Sequence, residues 1–242
     1  MSIAQRMMML GGSWSPLQLP NLGGLYFADF GTTAGATGIK WWDDQSGSGD
    51  SANKRLVQLT GSKQPTLTAS DAGYNGKATL LLVAASSQFM ASSTFATPIT
   101  QPFTWWVVGN DDGTVTSQYY LEGDISGASR SILGHAVISA AYGTYSGAEV
   151  GGGTRSNAKR ILIGVNNGAS SSLYISAKTP VATGNAGTNG ITAMTMGASF
   201  AGTAPLNGKM AALGWCTSAL SATDIGLLLD YLGDYYAITI GA

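Results

Sequence analysis

The sequence predicts an all-β protein built as a two-sheet antiparallel sandwich with one short helix near its C-terminus. Glycine and proline occur 34 and 7 times in 242 residues, which is typical of short strands joined by many turns. Only 10% of the residues are charged, against roughly 25% in an average soluble domain. The apolar segments are mostly short, and one segment alone has helical spacing.

Nine segments are predicted as strands because they are rich in aromatic or β-branched residues and are bounded by Gly, Asn, Ser or Pro. They are residues 39–42, 78–83, 103–109, 118–121, 136–142, 160–165, 171–176, 191–199 and 209–216. The turn signal at 166–168, Asn-Asn-Gly, predicts a hairpin between two of these strands. This number of strands favours the jelly-roll form of the sandwich.

The predicted helix lies in the segment "SATDIGLLLDYLGDYY". Ser221, followed three residues later by Asp224, indicates a capping box, although Asp replaces the usual Glu or Gln. Gly233 is predicted to end the helix, and residues 235–240 to form a final strand. The apolar residues at helical spacing are Ile225, Leu228, Leu229 and Leu232.

Two regions are expected, an N-terminal arm of residues 1–13 and a single sandwich domain of residues 14–242. The arm carries an apolar cluster, which consists of Met7, Met8, Met9 and Leu10. This cluster is too short for a signal peptide, and no segment has the eighteen or so apolar residues of a membrane helix. Flexible methionines pack well on irregular surfaces, so the arm is predicted to be an assembly element.

Charge and composition exclude several classes of function. The net charge of −1 gives no basic footprint for nucleic acid or for an anionic membrane, so neither is expected as a partner. Cys216 is the single cysteine and His135 the single histidine, which excludes an internal disulfide and the usual zinc sites. We expect no cofactor.

The acidic segment "WWDDQSGSGD", residues 41–50, has two interpretations. Asp44 resembles the first residue of a calcium loop, but the twelfth position is Arg55, a cation, which excludes an EF-hand. A looser calcium site near Asp43, Asp44 or Asp50 stays open. A tight turn, in which Asp and Ser side chains cap backbone N–H groups and glycines supply positive φ, is favoured.

No catalytic residues are predicted. Glu122 and Asp124 in "LEGDISGAS" lack the third acid of a Glu-x-Asp-x-x-Glu strand, and Gly123 with the following serines indicates a loop. A retaining hydrolase needs two carboxylates about 5–5.5 Å apart, one of them with a raised pKa. His135 lies among apolar residues, and there is no Gly-x-Ser-x-Gly elbow. The protein is therefore predicted not to be an enzyme.

Adjacent aromatic residues recur on the predicted strands. Successive strand side chains point to opposite faces, so one member of each pair must leave the core between the sheets. Trp42, Trp106 and Tyr120 are predicted to take this outward position. An outward ring is covered by protein or stacks on a sugar, and coverage by a loop or a partner is favoured.

The order of motifs resembles laminin-G-like, concanavalin A-like jelly rolls over residues 17–238. The motifs are "LQLPNLGGLYFAD", "GIKWWDDQSGSGD", "KQPTLTASDAGYNGKATLLL", "ITQPFTWWVVG", "SSLYISAKTP" and "LNGKMAALGWCTSALSATDIGLLLDYLGDYYAI". Domains of this class are common in bacteriophage virion proteins, in secreted adhesins and beside polysaccharide-degrading modules. The resemblance implies surface recognition or assembly more than any one chemistry.

Two functions are therefore expected. The first is a phage virion structural protein, located in the virion as a capsid decoration or tail component. It would act through contacts with other virion proteins and with copies of itself. The alternative is a carbohydrate-binding, lectin-like module whose partner is a surface glycan.

Overall fold

The computed structural model describes residues 14–114, 116–124, 126–127, 129–135 and 141–242. The predicted arm, with Met7, Met8, Met9 and Leu10, lies outside the described residues. The fold class is confirmed, because two antiparallel sheets face each other and one long helix follows them. In the described part of the chain, no helix is both long and apolar enough to cross a membrane.

The strands are numbered in chain order. They are β1 (Leu22–Phe27), β2 (Thr32–Ala34), β3 (Ile39–Trp42), β4 (Leu56–Val57), β5 (Thr66–Asp71), β6 (Lys77–Leu82), β7 (Met90–Ala91), β8 (Phe103–Asp111), β9 (Tyr119–Glu122), β10 (Ile132–His135), β11 (Tyr142–Tyr145), β12 (Glu149–Gly152), β13 (Arg160–Asn166), β14 (Ser171–Ile175), β15 (Ala182–Gly184), β16 (Thr195–Met196) and β17 (Gly208–Cys216). The α-helices are α1 (Ser51–Lys54) and α2 (Ala222–Tyr236).

The two sheets differ in whether a helix covers the outer face. One sheet has the order β15-β14-β13-β8-β17-β6-β5, with β1 also paired to β17. Helix α2 packs on its outer face, so we call it the helix-covered sheet. The other has the order β12-β11-β10-β9-β16-β7-β4-β3-β2. We call it the open sheet, because neither α1 nor α2 packs across its outer face.

Large aromatic side chains fill the space between the sheets. Trp42 from the open sheet and Trp105 and Trp215 from the helix-covered sheet are fully buried in this core. The ring of Trp215 lies 5.7 Å from that of Tyr26 and 5.5 Å from that of Phe95. Dense packing of this kind stabilises the sandwich without a disulfide, and Cys216 is buried and free.

Helix α2 forms a second core on the outer face of the helix-covered sheet. Its predicted inner residues Leu228, Leu229 and Leu232 are fully buried there, which confirms their predicted orientation. The predicted capping box is also present. The backbone N–H of Asp224 donates to Ser221 Oγ at 3.2 Å, and the Asp224 carboxylate accepts from the backbone N–H of Ser221 at 3.3 Å.

The predicted end of this helix was wrong. Gly233 lies inside α2, which continues to Tyr236 and ends at Ala237 in the left-handed region with φ of +50°. A Cβ on Gly233 would lie 2.7 Å from a side-chain carbon of Ile240, so this glycine permits a close approach of the chain. The predicted final strand 235–240 does not form, and only an isolated bridge joins Ala177 to Gly241.

The predicted strands differ from the structure in other places as well, and the nine predicted segments do not include strands β2, β4, β5, β7, β10, β12 and β15. Of residues 191–199, only Thr195–Met196 forms a strand. Residues 136–140 lie outside the described part, and β11 begins at Tyr142. Strand β1 was missed because its two consecutive glycines interrupt the apolar pattern. The predicted hairpin is confirmed, since β13 pairs with β14 in antiparallel register.

We predict that Leu229→Ala lowers the free energy of unfolding by about 2–5 kcal/mol, because it leaves a cavity under α2. The matched control is Leu227→Ala on the same helix, since Leu227 is 37% exposed. The control should change stability by less than about 0.5 kcal/mol. Urea denaturation of both variants measures this, and equal effects would place the two leucines in equivalent environments.

Candidate functional site

The acidic segment is held in place by hydrogen bonds to strand β1. One oxygen of Asp44 accepts the backbone N–H groups of Leu25 and Ser46, each at 2.9 Å. The hydroxyl of Ser46 donates to the other oxygen at 2.8 Å. Ser48 Oγ donates to the carbonyl of Gly23 at 2.7 Å. The segment therefore caps the start of β1.

The other two aspartates of the segment are engaged as well. Asp43 forms an ion pair with Arg55. One oxygen of Asp50 accepts from the side-chain amide of Asn53 at 2.7 Å, and the other accepts the backbone N–H of Ala96 at 3.0 Å. Each carboxylate in the segment thus has donors from the protein.

These contacts support the turn interpretation for residues 43–50 rather than 41–50, because Trp41 and Trp42 belong to β3. Gly47 and Gly49 have φ of +71° and +57°, as the turn interpretation requires. Among the described residues, no group of three or more His, Cys, Asp or Glu side chains is placed to hold a metal ion.

Glu122 and Asp124 also have protein partners. Glu122 is fully buried, where it pairs with Arg130 and accepts the backbone N–H of Phe200 at 2.6 Å. Asp124 accepts the backbone N–H of Ser126 at 3.1 Å and thus caps the following loop. Gly123 and the following serines predicted a loop at this position, and a loop follows β9 in the structure.

A buried polar cluster surrounds Asp111, the last residue of β8, and joins the helix-covered sheet to residues of the open sheet. Its Oδ2 accepts the hydroxyls of Tyr120 and Tyr142 at 2.8 and 2.9 Å. Its Oδ1 accepts the backbone N–H of Gly113 at 2.7 Å. Nε2 of His135 lies 3.1 Å from Oδ2.

Burial and charge move the pKa values of this cluster. Burial raises the pKa of Asp111, but His135, the Tyr120 hydroxyl and a backbone N–H together lower it to about 2. Burial lowers the pKa of His135, and Asp111 opposes this effect. The positive charges of Arg155 and Arg160 lower it further. The imidazole is therefore neutral at pH 7.

Of the residues predicted to leave the inter-sheet core, Trp42 and Tyr120 remain in it, so the prediction was wrong for them, whereas Trp106 leaves it. Trp42, Trp106 and Tyr120 all have no exposed surface. Trp42 lies in the core between the sheets and donates to the carbonyl of Phe27 at 3.1 Å. Trp106 does leave that core, but α2 covers it. Tyr120 turns inward to reach Asp111.

The outward member of the first tryptophan pair is Trp41, because strand β3 contains a bulge. Thr33 pairs with Trp41 while its neighbour Ala34 pairs with Ile39, so Lys40 is an extra residue in β3. A bulge places two residues opposite one and breaks the alternation of faces. Ile39 and Trp42 are buried, whereas Lys40 and Trp41 are half-buried on the outer face.

Two aromatic rings on this outer face each carry a cation. The ammonium of Lys40 lies 4.6 Å from the Trp41 ring centroid, and the guanidinium of Arg55 lies 5.1 Å from it. Phe89 precedes the inward-facing Met90 and so faces outward. The ammonium of Lys63 lies 5.7 Å from its ring. We call Lys40, Trp41, Arg55, Lys63 and Phe89 the aromatic–cation surface.

The two rings are placed on one surface by strand pairing. Trp41 pairs with Val57 of β4, and Val57 pairs with Ala91 of β7, two residues beyond Phe89. With strands about 4.8 Å apart, the two ring-bearing positions are separated by roughly 12 Å. Leu59, two residues after Val57, is 72% exposed. An extended ligand could thus contact both rings.

A cleft of about 380 Å³ adjoins this surface. Its lining includes Asp43, Asp44, Ser51, Ala52 and Arg55, so carboxylates, a hydroxyl and a guanidinium face it. The cleft lies beside the Trp41 ring, because Arg55 contacts both. Aromatic and polar groups therefore meet at one edge of the open sheet.

A second cleft, of about 370 Å³, lies at one end of the sandwich. Its walls include Phe95, Pro98 and Trp215, but the Trp215 ring has no exposed surface. The ammonium of Lys54 in this cleft already donates to Ser48 and Gly49. The Lys54 ammonium therefore stabilises the chain's own turn.

The comparisons with known proteins concern the fold. Neither a protein-family model nor a curated protein matches the chain. Among solved structures, a Trypanosoma rangeli sialidase complex is 13% identical with a TM-score of 0.58, covering 93% of this chain and 36% of that chain. Domain 4 of an extracellular arabinanase from Geobacillus stearothermophilus, in complex with arabinotriose, is 10% identical with a TM-score of 0.58. It covers 89% of this chain and 99% of that chain.

A third similar structure is the binding domain of Paraclostridial Mosquitocidal Protein 1. It is 13% identical with a TM-score of 0.53, and the match covers 86% of this chain and 52% of that chain. The chain thus spans about a third of the sialidase chain and about half of this third one. Together these structures place the fold in the class of β-sandwich domains of the concanavalin A-like kind.

The prediction that the protein is not an enzyme was wrong. The similar structures include parts of two enzymes that act on glycans, a sialidase and an arabinanase. The missing third acid after Asp124 excluded only one arrangement of catalytic carboxylates. The same fold occurs within glycoside hydrolase chains, so this exclusion did not justify the wider prediction. At 10–13% identity, the likeness transfers the fold and no individual residue.

We predict that the fold loses stability as the pH falls below about 6.5, because unfolded His135 takes up a proton that the buried, neutral imidazole resists. The lowered pKa of Asp111 adds a further loss only at a more acidic pH, below its unfolded value. Urea denaturation between pH 7.5 and pH 5 measures the effect. His135→Gln, which carries no titrating group, should flatten this dependence, and an unchanged slope would contradict the assignment.

Proposed function

We propose that this protein is a carbohydrate-binding β-sandwich domain that holds an extended glycan on the aromatic–cation surface. The observation that carries the proposal is the position of Trp41 and Phe89. Both rings are half-buried on the face of the open sheet that α1 and α2 leave uncovered. The expected lectin-like function is retained, but at Trp41 instead of Trp42.

The chemistry of the surface suits a sugar. A sugar ring has apolar C–H faces and polar hydroxyl edges, and an aromatic side chain offers a large, rigid apolar face for the former. Beside Trp41, the Asp43 carboxylate can accept hydrogen bonds from sugar hydroxyls, and the Arg55 guanidinium can donate hydrogen bonds to them. An exposed cation–π contact contributes only about 0.5–1 kcal/mol, so a ligand can displace a cation from the ring.

The similar structures support this proposal at the level of the fold. The arabinanase domain, nearly all of which is matched, was solved with arabinotriose bound. A sandwich of this shape can therefore hold an oligosaccharide. Because this chain spans only 36% of the sialidase chain, that enzyme's activity is not carried over.

We predict that Trp41→Ala weakens glycan binding at least about tenfold, because truncating an anchoring aromatic residue commonly costs more than ~1.4 kcal/mol. Affinity electrophoresis against a panel of polysaccharides, including arabinan, measures the binding. Trp41→Phe should retain most of it. The matched control is Trp14→Ala on the helix-covered side, where Trp14 packs on Tyr231.

Two outcomes would contradict the proposal. One is a wild-type protein that binds none of the polysaccharides. The other is equal loss of binding in Trp41→Ala and Trp14→Ala when both variants retain the wild-type melting temperature.

Attachment to a phage particle stays a prediction of the sequence, with the arm as its assembly element. Deletion of residues 1–12 should leave the melting temperature nearly unchanged, because the arm precedes the sandwich in the sequence. The same deletion should abolish incorporation into the particle, measured by co-sedimentation with assembled virions. Normal incorporation without the arm would place the attachment surface elsewhere.

A further inference from the structure

Two lysines at the aromatic–cation surface have no acidic partner. In the described residues, neither Lys40 nor Lys63 forms an ion pair. Other lysines without an ion pair also lie over rings, for example Lys77 over Tyr235 and Lys159 over Tyr74. Lys40 and Lys63 are distinguished by their position on one shared surface, beside the two rings proposed to hold the glycan.

Each of these lysines is placed at an aromatic ring. Lys40 reaches the outer face only because it is the bulge residue of β3, and its ammonium lies 4.6 Å from the Trp41 ring centroid. The ammonium of Lys63 lies 5.7 Å from the Phe89 ring centroid. The same pairing of ring and ammonium thus occurs at both positions where a sugar could stack.

We propose that the glycan is acidic, with carboxylate or sulfate groups that pair with Lys40 and Lys63 while its rings contact Trp41 and Phe89. This inference rests on the proposed function and specifies its ligand class. A lysine ammonium is a compact, strongly hydrated charge on a flexible side chain. It can therefore pair with anionic groups at different positions along a polymer. Charge pairing at an exposed surface adds specificity and a dependence on salt.

Single-stranded nucleic acid also combines stacking with negative charge, but the surroundings disfavour it. Such binding relies on a positively charged groove that follows the backbone. The net charge of −1 and the two separate lysines do not form such a groove.

The test compares polysaccharides that differ only in charge. The probes are polygalacturonate, alginate and hyaluronan, each alongside its neutral methyl ester, with arabinan and oligo(dT) as further probes. Affinities of the full chain are measured by titration calorimetry at about 50 mM and about 300 mM NaCl, because added salt screens exposed charge pairs. At least one acidic probe should bind about tenfold more tightly than its ester, with the difference reduced at high salt.

The variants separate charge from stacking. The double variant Lys40→Gln/Lys63→Gln should bind the acidic probe no more tightly than it binds the ester, so that the preference for the acidic form is lost. Lys178→Gln is the matched control, since Lys178 pairs with Asp230 on α2, on the other side of the molecule. It should leave both affinities as they are in the wild-type protein.

Each other outcome has a definite meaning. Equal binding of acidic and esterified probes, or Trp41-dependent binding of arabinan alone, overturns the inference and leaves the proposed function standing. Tighter binding of oligo(dT) than of any acidic polysaccharide also overturns it. Failure to bind any glycan overturns the proposed function together with the inference.

Discussion

Burial of strand β8 on both of its faces is the constraint on which the rest of the structure depends. Trp105 fills the core between the sheets, and Trp106, the next residue, points to the opposite side. Two adjacent tryptophans on a central strand need two separate apolar covers, because successive side chains alternate in direction. The open sheet supplies the first cover and α2 supplies the second.

This division of covers makes the molecule asymmetric. A single helix of 15 residues is available, and the helix-covered sheet takes it. Some side chains of the open sheet are covered by loops of the same chain. For example, the backbone N–H of Phe200 donates to the buried carboxylate of Glu122. At Trp41 and Phe89, side-chain cations cover the rings instead. Ligand binding is therefore proposed where the structure has the least permanent cover.

The sequence predicts the general features of this fold better than its local irregularities. Composition and turn spacing predicted the sandwich, and the spacing of Leu228, Leu229 and Leu232 predicted the buried face of α2. Alternation also predicted that one tryptophan of each pair leaves the inter-sheet core. It selected the wrong member of the first pair, because a bulge depends on pairing with a neighbouring strand. Phe89 was missed because it only precedes β7, a strand of two residues.

Because of the bulge at Lys40, the outer surface of the sandwich can change at this position while the packing of its core stays the same. If Lys40 were removed from β3, Ile39, Trp41 and Trp42 would fall into simple alternation, with the same two residues facing inward. The inserted residue therefore adds a side chain to the outside of the sandwich without rearranging its interior. Variation at this position, including loss of the residue, could retune what the surface recognises while the chain continues to fold in the same way.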